Sequence, residues 1–492
     1  MDFTHILFVV ACFRCTVSYV TIQIDADKVL QKLDDQMFLG TAFDTLLLKN
    51  HWENFNSSSR SVQTLGRALS PSYFRIGGTT ADFMVFQDGD TMSSKSMEVH
   101  LNKMQNFSQR PYGKFNYDTF NLTAQMFDQL YSFTSAVGWD MIYNLNALLR
   151  QKDGSWDPSN ALKLFNYVTK KNYKIRGWEL GNEPDLYGEI KVSPEQMAAD
   201  FRHLVQILAN YPQFKNCIIM GPSVAGGISY FKRFFEAGAA KVVTTASFHH
   251  YYFGTPNFKE FISPDMMDSL IERIAEFKST ANVLASEAEV WLAETSTDWT
   301  GGQAGWTDRY LAGFLWLDKL GLSAKYGLDV VLRQCFYGFH FSLINHEDLK
   351  PNPDYWLTLL YKNLVGGKVL SATTDDSTGK VRVYAHCINH VRSPQYKPGA
   401  VTVYIMNLNT QAIELYLPQA GQDEFDVYLL ESVPAGAVFS RDVSLNGVTL
   451  VMPDEEHLPD LKPQRQTGYI KMPSLTMAFI VLPTANATLC FN

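Results

Sequence analysis

Between residues 36 and 354, short apolar runs alternate with longer stretches of helical spacing. The runs are Phe38–Phe43, Tyr73–Ile76, Met141–Asn144, Ile175–Leu180, Cys217–Met220, Thr245–Phe248, Val290–Ala293 and Val330–Leu332. Helical patterns lie between them at Met126–Ser135, Ala161–Lys171, Pro194–Asn210, Met266–Thr280 and Thr307–Lys319. Strand and helix in regular alternation over this length predict an α/β protein, a (β/α)8 TIM barrel over 36–354. An open doubly wound sheet is the rival. No glycine-rich phosphate fingerprint opens a helix after the first run, which weakens it.

Past Pro353 the texture changes to strand-like alternation, as in Val381–Tyr384, Val401–Tyr404, Val427–Leu430 and Met477–Leu482, punctuated by Gly, Pro, Asn and Asp turns. This predicts a β-sandwich over 355–492. Val20–Ile24 also alternates, and the segment 19–35 is expected to add a strand to that sandwich. Asp88–Asn116 is polar and aperiodic, a long surface loop after the second barrel strand. The apolar run Ile6–Phe13, followed by Thr16 and Ser18, has the form of a secretory signal over 1–18 and is too short to span a bilayer. A secreted or lysosomal destination follows. The triplets at Asn56, Asn106, Asn121 and Asn486 are then candidate glycosylation sites.

Composition narrows the function. A net charge of −8 over 492 residues argues against a nucleic-acid binder, while leaving room for a local basic groove that takes a polyanion. The 13% aromatic content is assigned chiefly to large cores, with sugar platforms as the other reading. Cys12 and Cys15 fall in the signal, and Cys217 and Cys335 in apolar runs that suit buried thiols. No Cys/His spacing has the form of a zinc site, so neither metal nor cofactor is expected.

The chemistry sits at the ends of two runs. Trp178-Glu179-Leu180-Gly181-Asn182-Glu183-Pro184 presents Glu183 where the fourth strand stops, and Val290–Ser296 presents Glu294 at the end of the seventh. Side chains at the C-terminal ends of barrel strands face the active site. A pair of carboxyls about 5 to 5.5 Å apart is what retaining glycoside hydrolysis requires. Asn182 stands where an amide can bond a sugar 2-hydroxyl. Glu179, four residues before Glu183, is read as structural. In His249-His250-Tyr251-Tyr252 a tyrosine can hold the nucleophile ionised, and a metal reading of the His pair lacks a partner motif. Arg75, in Phe74-Arg75-Ile76-Gly77-Gly78-Thr79, either orients a catalytic carboxylate or fills the barrel interior.

The motifs LSPSYFRIGGT, NLNALLR, WELGNEPD, HHYYFG, VWLAETS, LDKLGLSA and PNPDYW, with the closing Cys, resemble the heparanase family of endo-β-glucuronidases, which includes the leech-type hyaluronidases. The resemblance implies a barrel plus sandwich and catalysis with retention. Glu183 is then the acid/base and Glu294 the nucleophile. Asp44, Thr79, Asn182, Tyr251 and Gln334 line a glucuronate subsite, Lys114 aligns with a basic cleft residue, and Cys387 pairs with Cys490. There are departures. The Gln and two Args that vertebrate heparanases carry after the fifth strand are absent from Gly221–Gly227, the Arg expected after Tyr252 is missing from Phe253–Pro256, and a Gly-Asn-Tyr element is replaced near His340–Ser342. The loop Asp88–Asn116 is also shorter than the linker excised from vertebrate heparanase, implying one uncut chain.

The expectation is a monomeric endo-β-glucuronidase acting on a glycosaminoglycan at acidic pH. Loss of basic contacts tilts the choice to hyaluronan over heparan sulfate. The alternatives are a non-catalytic glycosaminoglycan-binding relative, which should have lost a carboxylate, and an exo-β-glucuronidase.

Overall fold

The structure is a computed structural model describing residues 18–52, 55–88, 118–188 and 191–491. Residues 1–17 of the signal, Asn106, Lys114 and nearly all of the loop Asp88–Asn116 lie outside the described residues.

Eight parallel strands close into a barrel: Leu39–Asp44, Ser72–Gly77, Trp139–Leu145, Gly177–Leu180, Ile218–Val224, Thr245–His250, Glu289–Thr295 and Val330–Arg333. The eighth pairs with the first through Val331 and Leu39, which removes both sheet edges. Side chains alternate between two apolar environments, as period 2 requires. Tyr73, Ile142, Met220, Trp291, Ala293 and Leu332 fill the barrel interior, while Phe74, Met141, Trp178, Ile219 and Leu292 pack outward under the helices. Parity therefore sends Arg75 and Glu179 inward, above the apolar layer.

Helix starts follow capping chemistry. Ser193 and Ser263 each accept a bond from a backbone N–H three residues on, with Pro at the first helical position, to open Pro194–Leu208 and Pro264–Leu284. The helical pattern expected from Thr307 starts at Ala312 instead. The amides of Tyr310 and Leu311 are committed to the carbonyls of Ser440 and Val438, so contact with the sandwich delays the helix. That helix, Ala312–Lys325, is buried along nearly its whole length between barrel and sandwich. Its Asp318 receives Arg382 at 2.8 Å and the hydroxyl of Tyr384.

The second unit is an eleven-stranded mixed sheet. The strand Ser18–Lys32 pairs antiparallel with Val365–Thr374 and parallel with Ile413–Tyr416. The sheet encloses its own core of Val20, Ile22, Val403, Leu415, Met472 and Ile480. Cys387 and Cys490 form a disulfide across 103 residues. Cys335 is buried, but Cys217 is only partly so, because it sits in the turn before its strand and not within it. Asn56 and Asn486 are exposed and Asn121 is partly exposed. Among the described residues no helix is long and apolar enough to cross a membrane.

Candidate active site

A cleft of about 290 Å³ opens at the C-terminal ends of the barrel strands, with Asp44, Thr79, Glu183, Tyr251, Glu294 and Gln334 among its walls. Each of the two glutamates arrives by a local irregularity. The seventh strand sends Trp291 and Ala293 inward, so strict alternation would turn Glu294 out. A register shift between Leu292 and Glu294 re-aims it into the cleft. Glu183 has φ 52 and ψ 54, a left-handed conformation rare for a residue with a side chain. It follows Gly181 at φ 80, and its N–H donates to the carbonyl of Ser223 at 2.9 Å.

The two carboxylates meet. One oxygen of Glu183, one of Glu294 and a ring nitrogen of His249 all lie within 4.8 Å of one another. Both side chains are largely buried, Glu183 at 13% exposure and Glu294 at 8%. Their partners differ. Glu294 accepts from the guanidinium of Arg75 at 2.7 Å and from the hydroxyl of Tyr251 at 2.7 Å, one on each oxygen. Glu183 meets Nδ1 of His249 at 3.0 Å. Burial pushes the Glu294 carboxyl up, but attraction to His249 and Arg75 and the bonds from Tyr251 and Arg75 outweigh it and hold the group below its usual range. Burial raises Glu183, and the charges of Glu294 and Asp185 add to that. His249 pulls it the other way without reversing the sign. Two similar acids are thus set apart, one to stay ionised and one to keep its proton.

Arg75 fills the barrel interior and orients the carboxylate, both of the roles considered for it. Its guanidinium, fully buried, forks onto Glu179 at 2.8 and 2.9 Å and bonds Asn182 Oδ1 at 2.7 Å as well as Glu294. Glu179 also accepts from the hydroxyl of Ser223. Asn182 is fixed on a second side, its N–H donating to Asp82 at 2.9 Å. With Oδ1 taken, its Nδ2 is a buried donor that no group among the described residues meets. The glycines after Arg75 are steric necessities: a Cβ on Gly77 would come within 2.7 Å of the guanidinium, and one on Gly78 (φ 102) within 2.5 Å of Asp44.

Asp44 accepts from Gln334 at 2.8 Å and from the Leu46 N–H at 2.8 Å. Burial and the nearby Glu294 charge push its carboxyl up to about 7. Between the unfolded value and about 7, the folded chain holds a proton that the unfolded chain has lost. This contribution to stability is complete below roughly pH 4 and falls as pH rises to about 7. Asp44→Asn is expected to flatten that decline, a difference on the order of a few kcal/mol across the window. Thermal midpoints of the two proteins from about pH 4 to 7 check it; parallel curves would mean that Asp44 is already ionised.

Glu183, His249 and Glu294 carry donor atoms that a metal could use. Both oxygens of Glu294 already accept strong bonds, and a guanidinium 2.7 Å away would repel a cation. The set suits proton and carboxylate chemistry better than ligation.

The structure thus gathers Asp44, Thr79, Glu183, Tyr251, Glu294 and Gln334 around one cleft, with Asn182 buried against Arg75 and Asp82. Sequence reasoning did not assign His249 to Glu183, 66 residues away, nor find Ser223 or Asp82. No local spacing marks such partners. It also missed Arg273 and Trp299, which line the same cleft from a helix and a loop.

Residues 50–321 match the family described as glycosyl hydrolase family 79, N-terminal domain. The heparanase of Bos taurus is 34% identical over 472 residues, covering 88% of this chain and 86% of that one. The hyaluronoglucuronidase of Hirudo nipponia is 31% identical, covering 96% and 99%. The inactive heparanase-2 of Homo sapiens is also 31% identical, covering 93% and 87%. Among solved structures, a 4-O-alpha-L-rhamnosyl-beta-D-glucuronidase from Fusarium oxysporum superposes with a TM-score of 0.67 at 16% identity, covering 94% of this chain and all of that one, a likeness of fold alone.

Proposed function

The chain belongs to glycosyl hydrolase family 79, and on that premise we propose that it is a retaining endo-β-glucuronidase. It cuts β-glucuronosyl linkages inside a glycosaminoglycan, hyaluronan ahead of heparan sulfate, and works outside the cell or in the lysosome. The observation that carries this reading is the carboxyl pair, with oxygens within 4.8 Å and proton affinities pushed in opposite directions. That spacing supports the retaining geometry of about 5 to 5.5 Å over the inverting one of about 6.5 to 9.5 Å, which must leave room for a water.

In the first step Glu294, ionised, attacks the anomeric carbon while Glu183 gives its proton to the departing glycosidic oxygen. A glycosyl ester on Glu294 results. Glu183, now a carboxylate, takes a proton from water, and the resulting attack frees the sugar and restores both groups. Tyr251 and Arg75 hold Glu294 in place and ionised. The Nδ2 of Asn182, next in the chain to Glu183 and without a partner among the described residues, supplies a bond to the sugar 2-hydroxyl as positive charge develops on the ring.

One kinship pulls the other way, since the heparanase-2 of Homo sapiens is an inactive relative. The intact and oppositely tuned pair here favours catalysis over binding alone. For the substrate, the walls after the fifth strand offer Ala225 and not a basic side chain, and the net charge is −8. Both features fit a polymer without sulfate. The leech relative that this chain matches along 99% of its length bears a name denoting hyaluronan cleavage.

Incubation of the purified chain with hyaluronan, unsulfated heparosan and heparan sulfate tests the reading. Hyaluronan should fall rapidly in viscosity, yielding fragments with new reducing-end glucuronate. Rates should be highest in the acid range and decline as pH rises through the elevated pKa of Glu183, where the proton donor is lost. Slow trimming without a viscosity drop would mean exo action. New reducing-end hexosamine would overturn the bond assignment.

A further inference from the structure

We propose that Arg273 and Trp299 form a leaving-side subsite. The indole of Trp299 takes the face of a pyranose, and the guanidinium of Arg273 takes an oxyanion, carboxylate or sulfate, on the departing part of the chain. This rests on Glu183 being the proton donor.

The barrel order sets the direction of the cleft. Strands eight, one and two, bearing Gln334, Asp44 and Thr79, stand across the closed barrel from strands four, five and six. Glu183 ends the fourth strand, so the oxygen it protonates, and the sugars attached to it, lie toward the second group. Arg273 lines the cleft on that flank. It projects from Pro264–Leu284, the helix after the sixth strand.

Two glycines make room for the pair. The Arg273 Nη2 donates to the carbonyl of Gly226 at 3.1 Å, and a Cβ on Gly226 would approach that nitrogen to 2.5 Å. The indole of Trp299 lies against Gly254, where a Cβ would come within 2.7 Å of the ring. The loop holding Gly226 is pinned to the Glu183 side, because Asp185 accepts from the N–H groups of Ala225 and Gly227 at 2.9 Å each. Arg273 is therefore tied to the position of Glu183.

Both groups keep exposed surface. Trp299 is 44% exposed and the Arg273 side chain 39%. Arg273 also pairs with Glu276 at 3.0 Å, but that partner is itself 40% exposed, and such pairs are weak. A guanidinium has five N–H donors, enough to keep both contacts and add an oxyanion. An exposed indole beside a cation suits an acidic sugar chain. The basic contacts that the sequence lacks after strands five and six are thus answered by one guanidinium from a different element.

The test is a binding cycle in a Glu294→Gln background, with hyaluronan hexasaccharide and the same hexasaccharide methyl-esterified on its carboxyls. Arg273→Ala should weaken the native ligand about tenfold and the ester less than about twofold, with Arg273→Lys between. Trp299→Ala should weaken both ligands alike, since stacking ignores charge. An N-sulfated, carboxyl-esterified heparosan hexasaccharide separates the two oxyanions, because a tenfold loss on it alone names sulfate. Equal weakening of every ligand by Arg273→Ala, or no weakening of any, overturns the subsite. Absence of polymer turnover by the unaltered chain would sink the proposed function while the binding cycle still decides this assignment.

Discussion

Replacing Glu294 by Gln is expected to abolish polymer turnover, a loss on the order of 10⁵-fold, with sugar binding retained. The amide cannot form the glycosyl ester. It also places an NH2 opposite Arg75 or Tyr251, both of which donate to the native carboxylate. Glu183→Gln should cost about 10³-fold on polymer, whose leaving oxygen needs a proton, and much less on an aryl glucuronide, whose leaving group does not. Rate measurements on both substrates, with binding and thermal midpoints as controls, check the pair. Substantial turnover by the folded Glu294 variant would remove it as nucleophile.

Arg75→Ala should be the most damaging change to stability, about 3 to 5 kcal/mol, because it leaves Glu179 and Glu294 as buried carboxylates with no cation between them. The effect extends to chemistry. Arg75 is one of the groups holding the Glu294 pKa down, so without it Glu294 keeps its proton to higher pH and the acid limb of the rate profile moves upward. Arg75→Lys should be intermediate, since an ammonium cannot fork onto Glu179 while reaching Glu294 and Asn182. Denaturant melts and pH–rate profiles separate the two roles. A loss of stability with an unmoved acid limb would leave Arg75 as interior filling only.

Much of the fold was legible because barrel strands are long enough in apolar residues to stand out against helical spacing. The change of texture after Pro353 was legible for the same reason. Helix boundaries were less so. Ala312 could not be identified as a start, since what stops the helix from beginning earlier is a pair of carbonyls more than 120 residues away, at Val438 and Ser440.

The site divides in the same way. Asn182, Glu183 and Glu294, next to strand ends, could be found by position, because a barrel aims its strand ends at one mouth; Asp44 and Gln334 were implied only by the family resemblance. Which partner meets which acid could not be found that way. His249 meets Glu183 from two strands round the barrel, and Arg75 meets Glu294 across it, contacts made by folding and not by spacing. The cleft keeps a basic residue that the loops after strands five and six do not supply, because Arg273 reaches it from a helix.

The amino-acid order by itself determined the architecture, the two acids and the strand ends that present them, since hydrophobic period and local turn chemistry are properties of neighbours in the chain. Only the tertiary structure decided which acid keeps its proton. That choice depends on burial and on charges brought within a few ångströms by distant segments. It depends equally on the irregularity that turns Glu294 inward, where unbroken alternation would have pointed it away from Glu183.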